Sequence, residues 1–473
     1  MTTIALQPVV WLGAATTVAF LTTSLAHAGD VSLIRATSGA TDSTFGQTLA
    51  HHRSGAVSDV LIGAPAANGA RGFVELVQIS GQQATTIASL APAGLLANER
   101  FGYSVALSGS TIAVGSPFGT SARGKVRVFP RLEQGIGEPV IIESPDGAIN
   151  DAFGHAVATA GDWLAVGEPL DDAGGSATDR GAVHLFRRSS GGAWVAQARI
   201  VAPDARAGDT FGYTLATDGS TLVVSSRYAD VGAMDQAGVV WTVDLGADGT
   251  VGVPVRVEAP DPGAYEWFGA SVAIDGDMLV VGACRDTINA QASEQGTARV
   301  FARDAAGWVQ RVMLVSPGAA TQDRFGNSVA IESNQILVGA DGQDPQGVSL
   351  AGRLHLYSFD ASSWSHQQAF ELPNADVNQN LGVSCAVHGT MVFGGAPRHT
   401  PSGGVTREGA VGVWSLSARC PADVDHDGVV GGPDLGLLLT QWDASGSADL
   451  NGDGVVGAAD LGIMLASWGA CPP

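Results

Sequence analysis

The residues best suited to chemistry in this 473-residue chain lie near its C-terminus. Two segments, DVDHDGVVGGPD from Asp423 to Asp434 and DLNGDGVVGAAD from Asp449 to Asp460, space acids and amides at alternate positions and then turn at glycine. Positions one, three and five of each twelve-residue loop carry oxygen donors: Asp423, Asp425 and Asp427, then Asp449, Asn451 and Asp453. Gly428 and Gly454 permit the sharp reversal at position six, Val429 and Val455 offer backbone carbonyls at position seven, and Asp434 and Asp460 close the loops at position twelve. Hard oxygen ligands at this spacing suit calcium, with one ion per loop. Aspartate at position twelve is shorter than glutamate, so two-oxygen closure requires a tighter approach. From Cys420 to Pro473 there are eight Asp and no Lys or Arg, the excess of a solvated surface or a cation site.

Elsewhere the chemistry is sparse. The segment EPLDDAGGSATDRG collects Glu168, Asp171, Asp172 and Asp179, and reads either as a cation loop or, preferentially, as an ordinary solvated loop. His51-His52 falls in an extended turn and reads as an exposed loop tip before a metal site. No G-x-S-x-G elbow, H-E-x-x-H helix or phosphate-cradling loop occurs. A glycosidase would need two acids facing one groove, and nothing in the sequence marks such a pair.

The elements that would position these residues follow from an internal repeat. FGYSVALSGSTIAVGSP at 101–117 returns as FGHAVATAGDWLAVGEP at 153–169, FGYTLATDGSTLVVSSR at 211–227, FGASVAIDGDMLVVGAC at 268–284, FGNSVAIESNQILVGAD at 325–341 and LGVSCAVHGTMVFGGAP at 381–397. A first copy, FGQTLAHHRSGAVSDVLIGAP at 45–65, has four extra residues at its turn. Successive copies start 52 to 58 residues apart. Each copy is two β-rich runs around Gly-Ser, Gly-Asp or similar turn residues, which is a hairpin. A second hairpin follows, as in GAVHLF at 181–186 and WVAQARIVAP at 194–203. Four strands per unit cannot bury both faces alone. Seven units arranged about an axis can, and antiparallel four-stranded units of this length fit propeller blades better than a solenoid. The fold class is therefore all-β, a seven-bladed β-propeller of four-stranded blades, with a small helical C-terminal module. VSLIRA at 31–36 matches the fourth strand of other units, and the last unit stops after GAVGVWSL at 409–416. Residues 31–36 are expected to complete the last blade; the alternative keeps them with the first unit.

The repeat resembles the FG-GAP repeat of integrin-α-type propellers, through Phe45-Gly46 with Gly63-Ala64-Pro65 and their later equivalents. Within that group it is most similar to exported bacterial propellers with Trp before the last strand, here Trp194, Trp308 and Trp364. No propeller loop carries the Asp-x-Asp-x-Asp-Gly run that integrin-type propellers use for calcium. Asp151, Asp209 and Asp323, two residues before an FG pair, read as turn residues accepting from backbone amides. In the C-terminal module, DLGLLLTQW and DLGIMLASW follow the loops as short amphipathic helices, with Trp442 and Trp468 near their ends. Loop-then-helix, twice, resembles a type I dockerin, an EF-hand-like module. That likeness implies a cohesin-like or cell-envelope partner. The family's recognition pair at loop positions ten and eleven is Gly432-Pro433 and Ala458-Ala459 here, without a hydroxyl, which departs from ordinary cohesin recognition.

Composition bounds the rest. The formal net charge of −22 makes nucleic acid an unsuitable partner. Val9 to Leu25 is apolar and Ala26-His27-Ala28 is a small-x-small cleavage signal, so residues 1–28 are expected to be a signal peptide rather than a membrane anchor. No later stretch is long enough to cross a bilayer. Export permits disulfides, and Cys420 with Cys471, which bracket the C-terminal module, are expected to be bridged. Cys284 and Cys385 read as buried substitutions in repeat positions first, as a bridge second. The expected organisation is signal peptide 1–28, propeller 29–419 and calcium module 420–473. The expected function is extracellular binding or adhesion to a protein or glycan, with the terminal module as attachment. The alternative is a polysaccharide-degrading component recruited to a complex.

Overall fold

The computed structural model describes residues 22–24 and 31–470, apart from 38–41, 55–56, 81–82, 120–121, 133–134, 173–177, 289–292, 361, 374, 401–406, 417–421, 425–428, 445, 447 and 452–454. The signal peptide expected over residues 1–28 lies outside them except for Thr22–Ser24, a short strand paired with the outer strand of blade one. Both Cys420 and Cys471 also lie outside the described residues. Cys284 and Cys385 are free thiols. No helix among the described residues is long and apolar enough to cross a membrane.

Each FG segment opens a four-stranded antiparallel blade. In blade three the strands are Ala156–Ala160, Trp163–Glu168, Ala182–Arg188 and Trp194–Ile200, in that spatial order from inside to outside. The second strand is buried along its whole length, as an apolar run packed on both faces requires. The inner strands of the other blades are Thr48–Ser54, Ser104–Ser108, Leu215–Thr217, Phe268–Asp275, Phe325–Glu332 and Ser384–His388. Trp194, Trp308 and Trp364 stand at or near the start of outer strands, and Trp308 reaches back a blade to donate its indole N–H to Thr242 Oγ1 at 3.1 Å. In blade two the outer strand is split, with Gly135–Ile136 and Val140–Ile142 both paired to Lys125–Leu132.

The repeated residues explain the seams. The FG aromatic rings Phe45, Phe101, Phe153, Phe211, Phe268 and Phe325 are buried, and Leu381 takes the place in blade seven. The backbone N–H of Phe101 donates to Arg71 O at 2.9 Å, that of Phe153 to Arg123 O at 3.0 Å and that of Phe211 to Arg180 O at 2.9 Å, so these entries are bonded to the residue two before the third strand of the preceding blade. Two residues after the FG glycine, a hydroxyl donates to the FG glycine carbonyl of the next blade: Thr48 to Gly102 at 2.9 Å, Ser104 to Gly154 at 2.8 Å, Thr214 to Gly269 at 3.1 Å, Ser271 to Gly326 at 2.8 Å, and Ser328 to Gly382 at 2.8 Å. Ser384 donates to Gly46 at 2.7 Å and carries the pattern across the closing seam. Blade three has Ala156 there and lacks the bond. The glycine of Gly-Ala-Pro is needed for close approach: a Cβ on Gly395 would stand 2.0 Å from Gly46 O.

The ring closes as its repeat arithmetic implies. Val31–Ile34 pairs antiparallel with Ala410–Ser415, with Ile34 opposite Val411 and Leu33 opposite Gly412. Blade seven is thus built from both ends of the propeller, and Ile34 packs with Phe45, Phe393, Val411 and Val413. Closure removes the two edges that an open stack would expose.

The C-terminal residues form two nine-residue helices, Gly432–Thr440 and Ala458–Ala466. Their shared core is Ala422, Val430, Leu438, Ala448, Val456 and Met464, all fully buried. These fall into pairs offset by the same spacing as the two acidic loops, so the module is an internal duplication. Trp442 and Trp468 lie just past the helix ends and are exposed.

Candidate functional site

The variable residue of each F-G-x motif sits at the entry end of an inner strand. It is Tyr103, His155 and Tyr213 in blades two to four. Because inner strands of neighbouring blades lie side by side, these rings meet. Centroids are 5.1 Å apart for Tyr103 and His155, and 4.6 Å for His155 and Tyr213. The belt continues through Phe118, 5.2 Å from Tyr103, and through Tyr228 and Trp267, at 5.7 Å from Tyr213 to Tyr228 and 5.5 Å from Tyr228 to Trp267. Six rings from blades two to five therefore form one half-buried aromatic surface.

Arginines cover it. The Arg227 guanidinium lies 3.9 Å from the Tyr213 centroid, 4.6 Å from Tyr228 and 4.4 Å from Trp267. Arg285 lies 4.4 Å from Trp267, and Arg100 lies 5.0 Å from Phe118. Arg285 is paired with Glu294, whereas Arg227 bonds the Tyr228 hydroxyl and leaves its Nε without a partner among the described residues. Ring faces hold these cations through their quadrupoles. Burial lowers the His155 pKa to about 4 and raises that of Tyr213 to about 12, so both are neutral at physiological pH. Neutral His155 then donates from Nδ1 to the Tyr213 carbonyl at 3.2 Å and accepts the Tyr103 hydroxyl on Nε2 at 3.3 Å. The belt offers flat apolar faces beside guanidinium donors. It can stack and pair with a ligand, and it presents no nucleophile. Its sequence signals are three aromatic or imidazole residues in consecutive F-G-x motifs, and arginine where most copies of Gly-Ala-Pro have proline.

The acids before the FG pairs are turn residues, as read from the sequence. Asp151 accepts from the Ala148 amide at 2.5 Å, Asp209 from Arg206 at 2.7 Å and Asp323 from Ala320 at 2.8 Å. Burial raises all three carboxyl pKa values. The reading of His51-His52 as a loop tip is corrected. Both lie in strand Thr48–Ser54, opposite Val60 and Asp59, because the extra residues of the first copy lengthen the hairpin rather than its turn. His51 stacks 5.1 Å from His388, and burial first, then His388, lowers its pKa to about 4.

The reading of the EPLDDAGGSATDRG segment as a solvated loop is corrected for Glu168 and Asp171, while Asp172 is exposed and 173–177 lie outside the described residues. Glu168 and Asp171 are buried, and with Asp146 and His184 they present ligand atoms within 4.8 Å of one another. Asp172 and Asp179 are not in the group; Asp172 Oδ1 accepts the Asp179 amide at 3.2 Å.

In the C-terminal module, Asp425, Asp427 and Asp453 lie outside the described residues. Asp434 and Asp460 are fully buried at the third position of their helices. Asp434 accepts from the Val424 amide at 2.6 Å and from Gly431 at 2.8 Å. Asp460 accepts from Leu450 at 2.8 Å, Asn451 at 3.0 Å and Gly457 at 2.7 Å. The Gly457 amide foremost holds the Asp460 carboxyl below the usual carboxylate range. Each position-twelve carboxylate thus ties the start of its loop to its helix. Asp423 is buried, while the Val429 and Val455 side chains are exposed. This all-oxygen donor set fits a hard cation such as calcium.

The sequence profile of the FG-GAP repeat matches residues 85–129, 137–186, 194–242, 254–301 and 308–357, about half of the chain. The first match runs from the outer strand of blade one into the third strand of blade two, so the matched repeat unit spans a seam. No curated protein matches the chain.

Proposed function

The chain belongs to the FG-GAP repeat family, and from that premise we propose that it is an exported binding propeller whose aromatic–arginine belt receives a carboxylate-bearing protein or glycan. An FG-GAP propeller is a binding or adhesion-type architecture in general. The observation that carries the finer reading is Arg227, an arginine held over three rings at the blade entries with an unpartnered Nε. A guanidinium there pairs with an anionic group while the rings stack on an apolar face. On a chain of net charge −22, this cationic spot selects where an anion docks.

In the same proposal, residues 1–28 direct export and residues 420–473 form a dockerin-like module that binds about two calcium ions and attaches the propeller to a cohesin-like or envelope partner. The residues in hand are Asp423, Val429, Asp434, Asp449, Asn451, Val455 and Asp460, together with Asp425, Asp427 and Asp453. Calcium bound there would neutralise the crowded loop carboxylates.

Surface plasmon resonance of the full chain on an immobilised uronic-acid polysaccharide, and on its carboxyl-reduced form, tests the belt. The expected result is binding to the acidic polymer that falls at least about tenfold with Arg227→Gln or on carboxyl reduction. Equal binding by wild type and variant refutes the assignment of the belt. Release of shortened oligosaccharides would instead establish the polysaccharide-degrading reading.

A further inference from the structure

We propose that blade three holds a divalent first-row metal ion, of the zinc or manganese kind, between Asp146, Glu168, Asp171 and His184. The argument starts from a comparison of two blades within the chain. Aligned on their FG pairs, Asp146 corresponds to Asp261, Asp171 to Asp286, His184 to Arg299 and Glu168 to Ala283. In blade five the two acids share one cation: Arg299 bonds Asp261 through Nη1 and Asp286 through Nη2. Blade three keeps both acids, replaces that arginine with histidine and adds a buried glutamate where blade five has alanine.

The charge balance changes accordingly. Arg199 pairs with Asp146 at 3.1 Å and with Asp171 at 2.5 Å. Among the described ion pairs, Glu168, the acid that blade five lacks, meets only His184. A buried carboxylate such as Glu168 is costly without a positive charge beside it, and a divalent ion supplies one where blade three has His184 in place of blade five's Arg299.

The geometry supplies an independent sign of a ligand. Glu168 is fully buried; its Oε2 accepts from Ser144 at 2.9 Å and lies 2.7 Å from His184 Nε2. Its Oε1 has no hydrogen-bond partner among the described residues. Gly147 lies beside that oxygen, where an added Cβ would come within 3.5 Å of it. Gly147 and Ser144 also line a neighbouring cleft of about 250 Å³. His184 is held by its ring, 5.6 Å from Phe153 in edge contact, so that Nε2 faces the acids. Binding replaces the Nε2 proton, which leaves to solvent, with the ion. An imidazole nitrogen among carboxylate oxygens suits zinc or manganese and is a poor site for calcium.

The test uses the full chain, stripped of metal and then saturated with calcium, titrated calorimetrically with zinc chloride and separately with manganese chloride. Wild type is expected to bind one equivalent more than the Glu168→Ala/His184→Arg double variant, which recreates the blade-five arrangement. Asp146→Asn, at a half-exposed ligand whose replacement leaves the blade core intact, is expected to weaken that site at least about tenfold. Zinc is expected to raise the Tm of wild type and not that of the double variant. Equal stoichiometry and affinity for both metals in all three proteins would overturn the proposal.

Discussion

Closure of the ring by residues 31–34 can be weighed against a control inside the same chain. Ile34 lies opposite Val411 in the outer strand of blade seven, and Ile200 lies opposite Val183 at the same position of blade three. Their exposures are 5% and 7%. Truncation of either to alanine removes three carbons, about 2.4 kcal/mol at about 0.8 kcal/mol each, and the remaining cavity brings the cost to about 3 kcal/mol. The local loss is therefore the same. The connectivity differs: Ile200 is tied to its partner Val183 by a short hairpin, whereas the rest of the propeller lies in sequence between Ile34 and its partner Val411. In urea denaturation followed by circular dichroism and tryptophan fluorescence, Ile200→Ala is expected to lower the midpoint with an unchanged slope. Ile34→Ala is expected to cost at least as much and to broaden the transition, because release of the closing strand exposes the edge of blade seven before the rest unfolds. The reasoning fails if Ile34→Ala stays within about 0.5 kcal/mol of wild type while Ile200→Ala shows its full cost.

Three further outcomes follow from other parts of the structure. Ala156→Ser supplies the seam hydroxyl that blade three lacks and is expected to raise stability by about 0.5–1.5 kcal/mol in the same assay; a loss would show that the seam has no room for it. Glu266 is half-buried, and desolvation first, then Asp286, raises its pKa from 4.5 to about 7. A carboxyl raised on folding is without penalty below pH 4.5, destabilises progressively as pH rises to about 7 and stays destabilising above it. Glu266→Gln is therefore expected to be more stable than wild type at pH 8, by about 1–2 kcal/mol after discounting for exposure, and equal to it at pH 4; melts at the two pH values decide. Asp460→Asn is expected to remove one of about two calcium ions counted by calorimetry on the full chain, and an unchanged count would reject the second loop as a site.

The sequence by itself determined the architecture, because what makes a blade is local. β-Rich runs, glycine at hairpin turns and the Phe-Gly and Gly-Ala-Pro signatures recur in register, so seven four-stranded blades and the strand exchange at 31–36 could be counted along the chain. The turn role of Asp151, Asp209 and Asp323 was legible for the same reason, since each bonds an amide three residues away. Only the tertiary structure decided where chemistry collects. His51 and His52 looked like a loop tip because extra residues in a hairpin lengthen its strands or its turn equally well on paper, and pairing with Val60 and Asp59 settled it. The belt joins Tyr103, His155, Tyr213 and Trp267 from four blades, and each is an unremarkable variable position within its own repeat. Asp146 and His184 reach Glu168 from a connecting segment and a neighbouring strand, so the alternation that placed each residue on its element carries no record of their meeting. Periodicity specifies which face a side chain occupies, whereas the packing of one blade against the next specifies what that face meets.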